Sequence, residues 1–140
     1  MMYAKIEVSM LVSEKVMRFQ GQNKDLSQLS KQIVQQLDGE GYKTQATTLP
    51  LGQVIQANKA GILRGYVTED RAFSILIAGQ PNDFSIHIGI GKWIHNLTFG
   101  AAEVVYLSWL FLALDVPKTL WTQHVEGTIA KEITRIVEGQ

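Results

Sequence analysis

Hydrophobic and polar residues first alternate along this chain. In Tyr3–Val12, the residues Ile6, Val8, Met10 and Val12 interleave with Lys5, Glu7 and Ser9, the two-residue period of a strand with one buried face. Lys15–Gln20 repeats the pattern, with Met17 and Phe19 on one side and Arg18 and Gln20 on the other; a turn at Ser13–Glu14 would make the two a hairpin. The period then changes. Leu26, Leu29, Ile33 and Leu37 recur three and four apart while Lys31, Gln32, Gln35 and Gln36 fall mostly elsewhere, which predicts an amphipathic helix over Asp25–Asp38. Asp25 can accept first-turn amide protons with Gln28 as its capping-box partner, and Gly39 or Gly41 offers the left-handed residue that ends the helix.

Strand signals follow. The threonine-rich Tyr42–Leu49, the turn Pro50–Gly52 and Gln53–Ala60 read as an antiparallel hairpin, and Gly61–Asp70 as a connection. Arg71–Gly79 and Phe84–Gly91 flank a reversal at Pro81–Asn82, so that Phe73, Ile75 and Ile77 can share one sheet face with Phe84, Ile86, Ile88 and Ile90. From Leu97 to Leu114 the chain is apolar nearly all round, and Pro117 then interrupts it. A second helix after Pro117 carries Trp121, Val125, Ile129, Ile133 and Ile136 or Val137 in a stripe opposite Lys131, Glu132 and Arg135. Gly127 should weaken it by about 1 kcal/mol relative to alanine. The elements predict one α+β domain over residues 1–140. Residues 1–96 supply a largely antiparallel sheet of about five or six strands with one amphipathic helix inserted, and residues 97–140 a C-terminal helical pair.

Composition narrows the function classes. A chain of 140 residues can bury about two-thirds of its unfolded surface in a single core. Its 13 basic and 13 acidic residues cancel, leaving no global field to draw in nucleic acid and making it an unlikely partner. The absence of cysteine excludes disulfides, thiolate nucleophiles and cysteine-ligated metals. The alternating N-terminus lacks the basic start and apolar block of a signal peptide, so the expected location is cytoplasmic, peripheral to a membrane if the apolar run touches one.

Two short motifs carry a resemblance. Lys59 and Gly61 form a Lys–x–Gly pair after a strand, and Gly89, Gly91, Lys92 and Trp93 end the next hairpin as Gly–x–Gly–Lys–Trp, followed by a hydrophobic segment. This block, roughly Lys15–Leu97, resembles the centre of small, mostly uncharacterised bacterial α+β domains. The resemblance implies a fold and brings no activity with it. The chain departs from the pattern in its added first strand and in Glu103 and Asp115, which interrupt the expected apolar tail.

The candidate chemistry is sparse. "GIGKW" invites an anion-loop reading, since glycines let amides approach a phosphate and lysine can neutralise it, yet neither a full P-loop nor a complete Gly–x–Gly–x–x–Gly is present. The structural alternative puts Gly89 and Gly91 on the solvent side of the strand, where something packs closely, with Trp93 anchoring its end. Lys59, Arg64, Arg71 and Lys92, with Tyr66 and Trp93, could gather at one sheet edge as an anion or partner site. His87, His95 and His124 lack metal-ligand spacing. Asp83, Glu103 and Asp115 stand in no recognisable arrangement with a nucleophile. No catalytic residue, metal or cofactor is expected.

The eleven uncharged residues Val104–Leu114 span only about 17 Å as a helix, short of the roughly 30 Å of a bilayer core. Extension back to Leu97 gives the length but includes Glu103, at about 3 kcal/mol, which the strong apolar residues offset by about 3–5 kcal/mol. A helix apolar all round must be covered on more than one side. The leading expectation is therefore a non-enzymatic interaction or scaffold module that forms a homo-oligomer through this helix, with Tyr106, Trp109, Leu110, Phe111 and Leu114 at the interface. The alternatives are a helix lying on a membrane surface and a small apolar-ligand binder.

Overall fold

Five strands, β1 (Glu14–Gln20), β2 (Lys43–Leu49), β3 (Gly52–Asn58), β4 (Arg71–Gln80) and β5 (Asp83–Lys92), form one antiparallel sheet in the order β1–β5–β4–β3–β2. The computed structural model describes residues 14–50, 52–59, 71–95, 97 and 121–139. Helix α1 (Leu26–Gly39) links β1 to β2, and a π-helical segment, Trp121–Ile129, runs directly into α2 (Ala130–Glu138). The α+β class and the antiparallel sheet agree with the sequence pattern. Of the expected C-terminal pair only one helix, the continuous 121–138, lies among the described residues. The expected strand Tyr3–Val12 and the apolar run after Leu97 fall outside them.

The register explains the core. Phe73 faces Ile90, Ile75 faces Ile88 and Ile77 faces Ile86 across the β4–β5 hairpin, so one period-two set from each strand lies on one face. Met17 and Phe19 of β1 join that set opposite Ile86 and Phe84, as do Ile55 and Ala57 of β3. Phe19 stacks on Phe84 with ring centroids 5.5 Å apart. Onto this face α1 brings Leu29, Ile33 and Leu37, and the C-terminal helix brings Val125, Ile129, Ile133 and Val137, all buried in one cluster. Each such side chain contributes about 1.5–3 kcal/mol on leaving water.

The length of α1 suits its task. β1 and β2 are opposite edges of the sheet, about 19 Å apart at four inter-strand spacings, and fourteen helical residues reach about 21 Å. Asp25 caps the helix by accepting from the Gln28 amide at 3.0 Å. At the other end Gly39 lies within the helix, Glu40 is the C-cap, and Gly41 takes the left-handed conformation at φ +93°. Two other glycines allow close backbone approach: a Cβ on Gly52 would stand 2.3 Å from the Ile77 carbonyl, and one on Gly79 2.5 Å from that of Asp83.

The second face of the sheet is also buried at its centre. Val54, Gln56, Ala72 and Ser74 are fully buried and Leu76 nearly so, and Gly89 and Gly91, opposite Ser74 and Ala72, are buried with them. The expectation that these glycines lie on a solvent side with something packed closely against them is thereby corrected as to solvent only. They lie on the side opposite the isoleucines, as alternation requires, but that side is interior here. Val54, Leu76, Ile94 and Leu97 are buried outside the main cluster, so the sheet carries apolar packing on both faces.

Candidate functional site

The sequence-predicted site residues divide sharply. Tyr106, Trp109, Leu110, Phe111, Leu114 and Arg64 lie outside the described residues, whereas Lys59, Lys92 and Trp93 are within them. The last three share one end of the sheet without forming one surface. Lys59 Nζ sits 5.3 Å from the ring centroid of Tyr42, a residue of the helix-covered core. Trp93 takes a different cation, Lys43 Nζ at 5.3 Å, and Lys43 pairs with Asn58 on the second face. Lys92, opposite Arg71, is exposed. The expected gathering is thus split between two faces, because strand alternation separates residue 59 from residue 43 and the ring it serves.

What "GKW" does instead is turn the chain. After β5, Ile94 is held by two glutamine side chains on the second face. Its amide donates to Gln56 Oε1 at 2.9 Å, and its carbonyl accepts from Gln45 Nε2 at 2.9 Å. Gln56 Oε1 also accepts from Gln45 Nε2 at 2.8 Å, while Gln56 Nε2 donates to Ser74 Oγ at 3.1 Å and to the Lys92 carbonyl at 2.7 Å. This fully buried amide therefore uses two donors and two acceptors, its whole capacity. The glutamines treat Ile94 as a strand neighbour would, and Ile94 and Leu97 are buried beyond them.

A second cluster, missed in the sequence, joins α1 to α2. Glu132 was expected opposite the apolar stripe; in the structure it is close enough to Glu40, the C-cap of α1, for each carboxyl to act on the other's ionisation. Its position three after Ile129 and four before Ile136 was the available signal, since residues so spaced share a helix shoulder. Glu132 Oε2 is buried with no hydrogen-bond donor. Burial, followed by the hydrogen bond and charge of Glu40, pushes its carboxyl up to about 7 against the opposing effect of Arg135. The Glu132 hydrogen bond holds Glu40 below the usual range, helped by Gln36, Lys59 and Arg135 against burial. Burial and then the same two carboxylates push the Tyr42 hydroxyl up.

The remaining candidates are engaged singly. His87 Nδ1 lies 3.2 Å from Glu14 Oε2 on the second face, His124 packs against Phe73 on the first at 6.2 Å, and His95 is exposed. Among the described residues no group of three or more metal-binding side chains occurs. Asp83 accepts twice from Arg18, at 2.9 and 2.8 Å, and this hydrogen bonding lowers its carboxyl from the ordinary value. An open groove of about 590 Å³ runs between β1 and the C-terminal helix, lined by Met17, Ala130 and Thr134 together with Lys15, Glu126, Lys131 and Arg135. No helix among the described residues is long and apolar enough to cross a membrane. Comparison with protein-family models, with curated proteins and with solved structures gives no match.

Proposed function

We propose that this chain is a non-enzymatic interaction module that self-associates through Val104–Leu114, with Tyr106, Trp109, Leu110, Phe111 and Leu114 as contact residues. The observation that carries this reading is the attachment of Ile94 to Gln45 and Gln56. It holds the chain to the second face of the sheet at Ile94, shortly before the apolar run begins in the sequence. A helix apolar all round needs cover on more than one side, and a flat sheet face covers only part of a helix's circumference. The outward remainder, rich in large aromatics, then has the composition of an interface core. In the same reading Tyr3–Val12 adds a sixth strand in a hairpin with β1, and the run is the first helix of a C-terminal pair.

Sedimentation velocity of the purified chain over a hundredfold concentration range, without detergent, tests this. A dimer or larger species is expected, with Trp109→Glu and Phe111→Glu shifting it to monomer while circular dichroism is retained. A strict monomer throughout would overturn the proposal. Flotation of the chain with anionic liposomes, with no oligomer in solution, would support the membrane-surface alternative instead.

A further inference from the structure

We propose that the groove between β1 and the C-terminal helix is a docking site for an acidic peptide segment of a partner protein, one that sets carboxylates beside an apolar side chain. The inference does not rest on self-association.

Strand register and helix spacing build the groove. Lys15 and Met17 stand opposite Ile88 and Ile86, so both belong to the face of the sheet that the helices cover. On the helix, Glu126, Ala130 and Thr134 follow one another at four-residue steps, with Lys131 and Arg135 one position round. The two elements touch where Thr134 Oγ1, which donates to the Ala130 carbonyl at 2.9 Å, lies 3.5 Å from Met17 Sδ. Around this contact about 590 Å³ stays open, lined by these seven residues.

Charge selects the occupant. Three cations, Lys15, Lys131 and Arg135, against one carboxylate, Glu126, give the lining a balance of 3 − 1 = +2, in a chain whose 13 basic and 13 acidic residues cancel. No ion pair within the described residues engages Lys15 or Lys131. Arg135 is shared, since it also bears on Glu40 and Glu132 at the α1 seam. Lys131 and Arg135 stand four apart on the helix, where like charges repel; a carboxylate set between them relieves that repulsion. Glu126 fixes the polarity, so the carboxylates of the guest favour the Lys131 and Arg135 end.

Shape separates a peptide from other anions. The helix from Glu126 to Arg135 is about 12 Å long, room for about four residues of extended chain, where a lone phosphate would leave most of the groove to water. A lipid tail needs an enclosed, mostly apolar cavity, whereas this groove is open and Met17 and Ala130 are its apolar members. Met17 is half-buried and presents an adaptable thioether to one apolar side chain, while the cations on both walls take carboxylates on either side of it.

Fluorescence anisotropy of a labelled peptide of alternating glutamate and leucine, titrated with the whole chain, tests this, with the glutamine–leucine peptide as the uncharged counterpart. The acidic peptide should bind at least about tenfold more tightly than its counterpart and weaken several-fold between about 50 and about 300 mM salt. Lys15→Glu and Lys131→Glu should each cost about tenfold, and Lys31→Glu, on the exposed side of α1, nothing. In the wild-type chain, NMR shifts of the Met17, Ala130 and Thr134 methyl groups on adding the peptide locate the site without any variant. Equal affinity for the two peptides, or binding that leaves those methyl groups unmoved, would overturn the proposal. Nuclear Overhauser contacts in the free chain between the Met17 methyl and residues 3–12 would also overturn it, by showing the groove filled by the chain's own N-terminal segment. Binding to anionic liposomes but not to the acidic peptide would likewise overturn it, in favour of a membrane surface.

Discussion

Gln56 concentrates at one residue what the second face of the sheet demands. It is fully buried, and its amide pairs with Gln45, Ser74, Lys92 and Ile94. Such a side chain is tolerated in an interior only because every polar atom is met. Gln56→Leu has nearly the same volume but leaves the Ile94 amide, the Lys92 carbonyl and the Ser74 hydroxyl without this partner. It should destabilise the chain by at least about 2 kcal/mol, seen as a lower urea midpoint with unchanged slope. A midpoint equal to that of the wild type would mean that water replaces the amide. Nothing in the string "QVIQAN" distinguishes Gln56 from Gln53. One lies in the interior and the other partly in solvent because, three positions apart on one strand, they point to opposite faces, and only the face of Gln56 brings it Ser74, Lys92 and Ile94.

At the scale of elements, α1 and the β4–β5 hairpin were legible because each follows a single period through to its ends. The C-terminal helix was legible in its stripe but not in its winding. Its first half is π-helical. A wider turn makes a four-residue step fall short of a full rotation, where in an α-helix it overshoots. The change at Ile129 therefore keeps Val125, Ile129, Ile133 and Val137 on one side. Gly127, read from the sequence as a weak point, has a structural reason in this winding: a Cβ there would lie 3.0 Å from the Thr122 carbonyl. Gly127→Ala is accordingly expected to leave the melting temperature unchanged or lower it. The gain of a few degrees that helix propensity alone implies would show that the π-helical turn relaxes freely.

For the whole molecule, the carboxyl groups oppose one another in their dependence on pH. Asp83 and Glu40 are lowered in the folded chain, so their stabilisation is present above the unfolded value and is lost as pH falls through the folded one. Glu132 is raised from 4.5 to about 7, so its contribution is complete below 4.5 and is lost as pH rises toward 7. Stability should then peak on the acidic side of neutrality, at about pH 5, and Glu132→Gln should shift that maximum toward neutral pH. Urea denaturation at a series of pH values checks both. A wild-type maximum at pH 7 or above would contradict the sign assigned to Glu132.

Local pattern alone determined the strands over Lys15–Gln20, Arg71–Gly79 and Phe84–Gly91, the cap at Asp25 and the apolar stripe of the last helix. Each depends on the spacing of side chains along one backbone, and that spacing is written in the chain. Tertiary structure alone decided that the glycine side of β5 is interior, that Lys59 and Trp93 serve different faces, that Gln56 holds Ile94, and that Glu132 meets Glu40. These are meetings between residues of different elements, 15 or more positions apart, and their energies come from burial and from donors supplied by another element. A helix or strand period can place a side chain on a face, but what that face then touches is set by the packing of the whole.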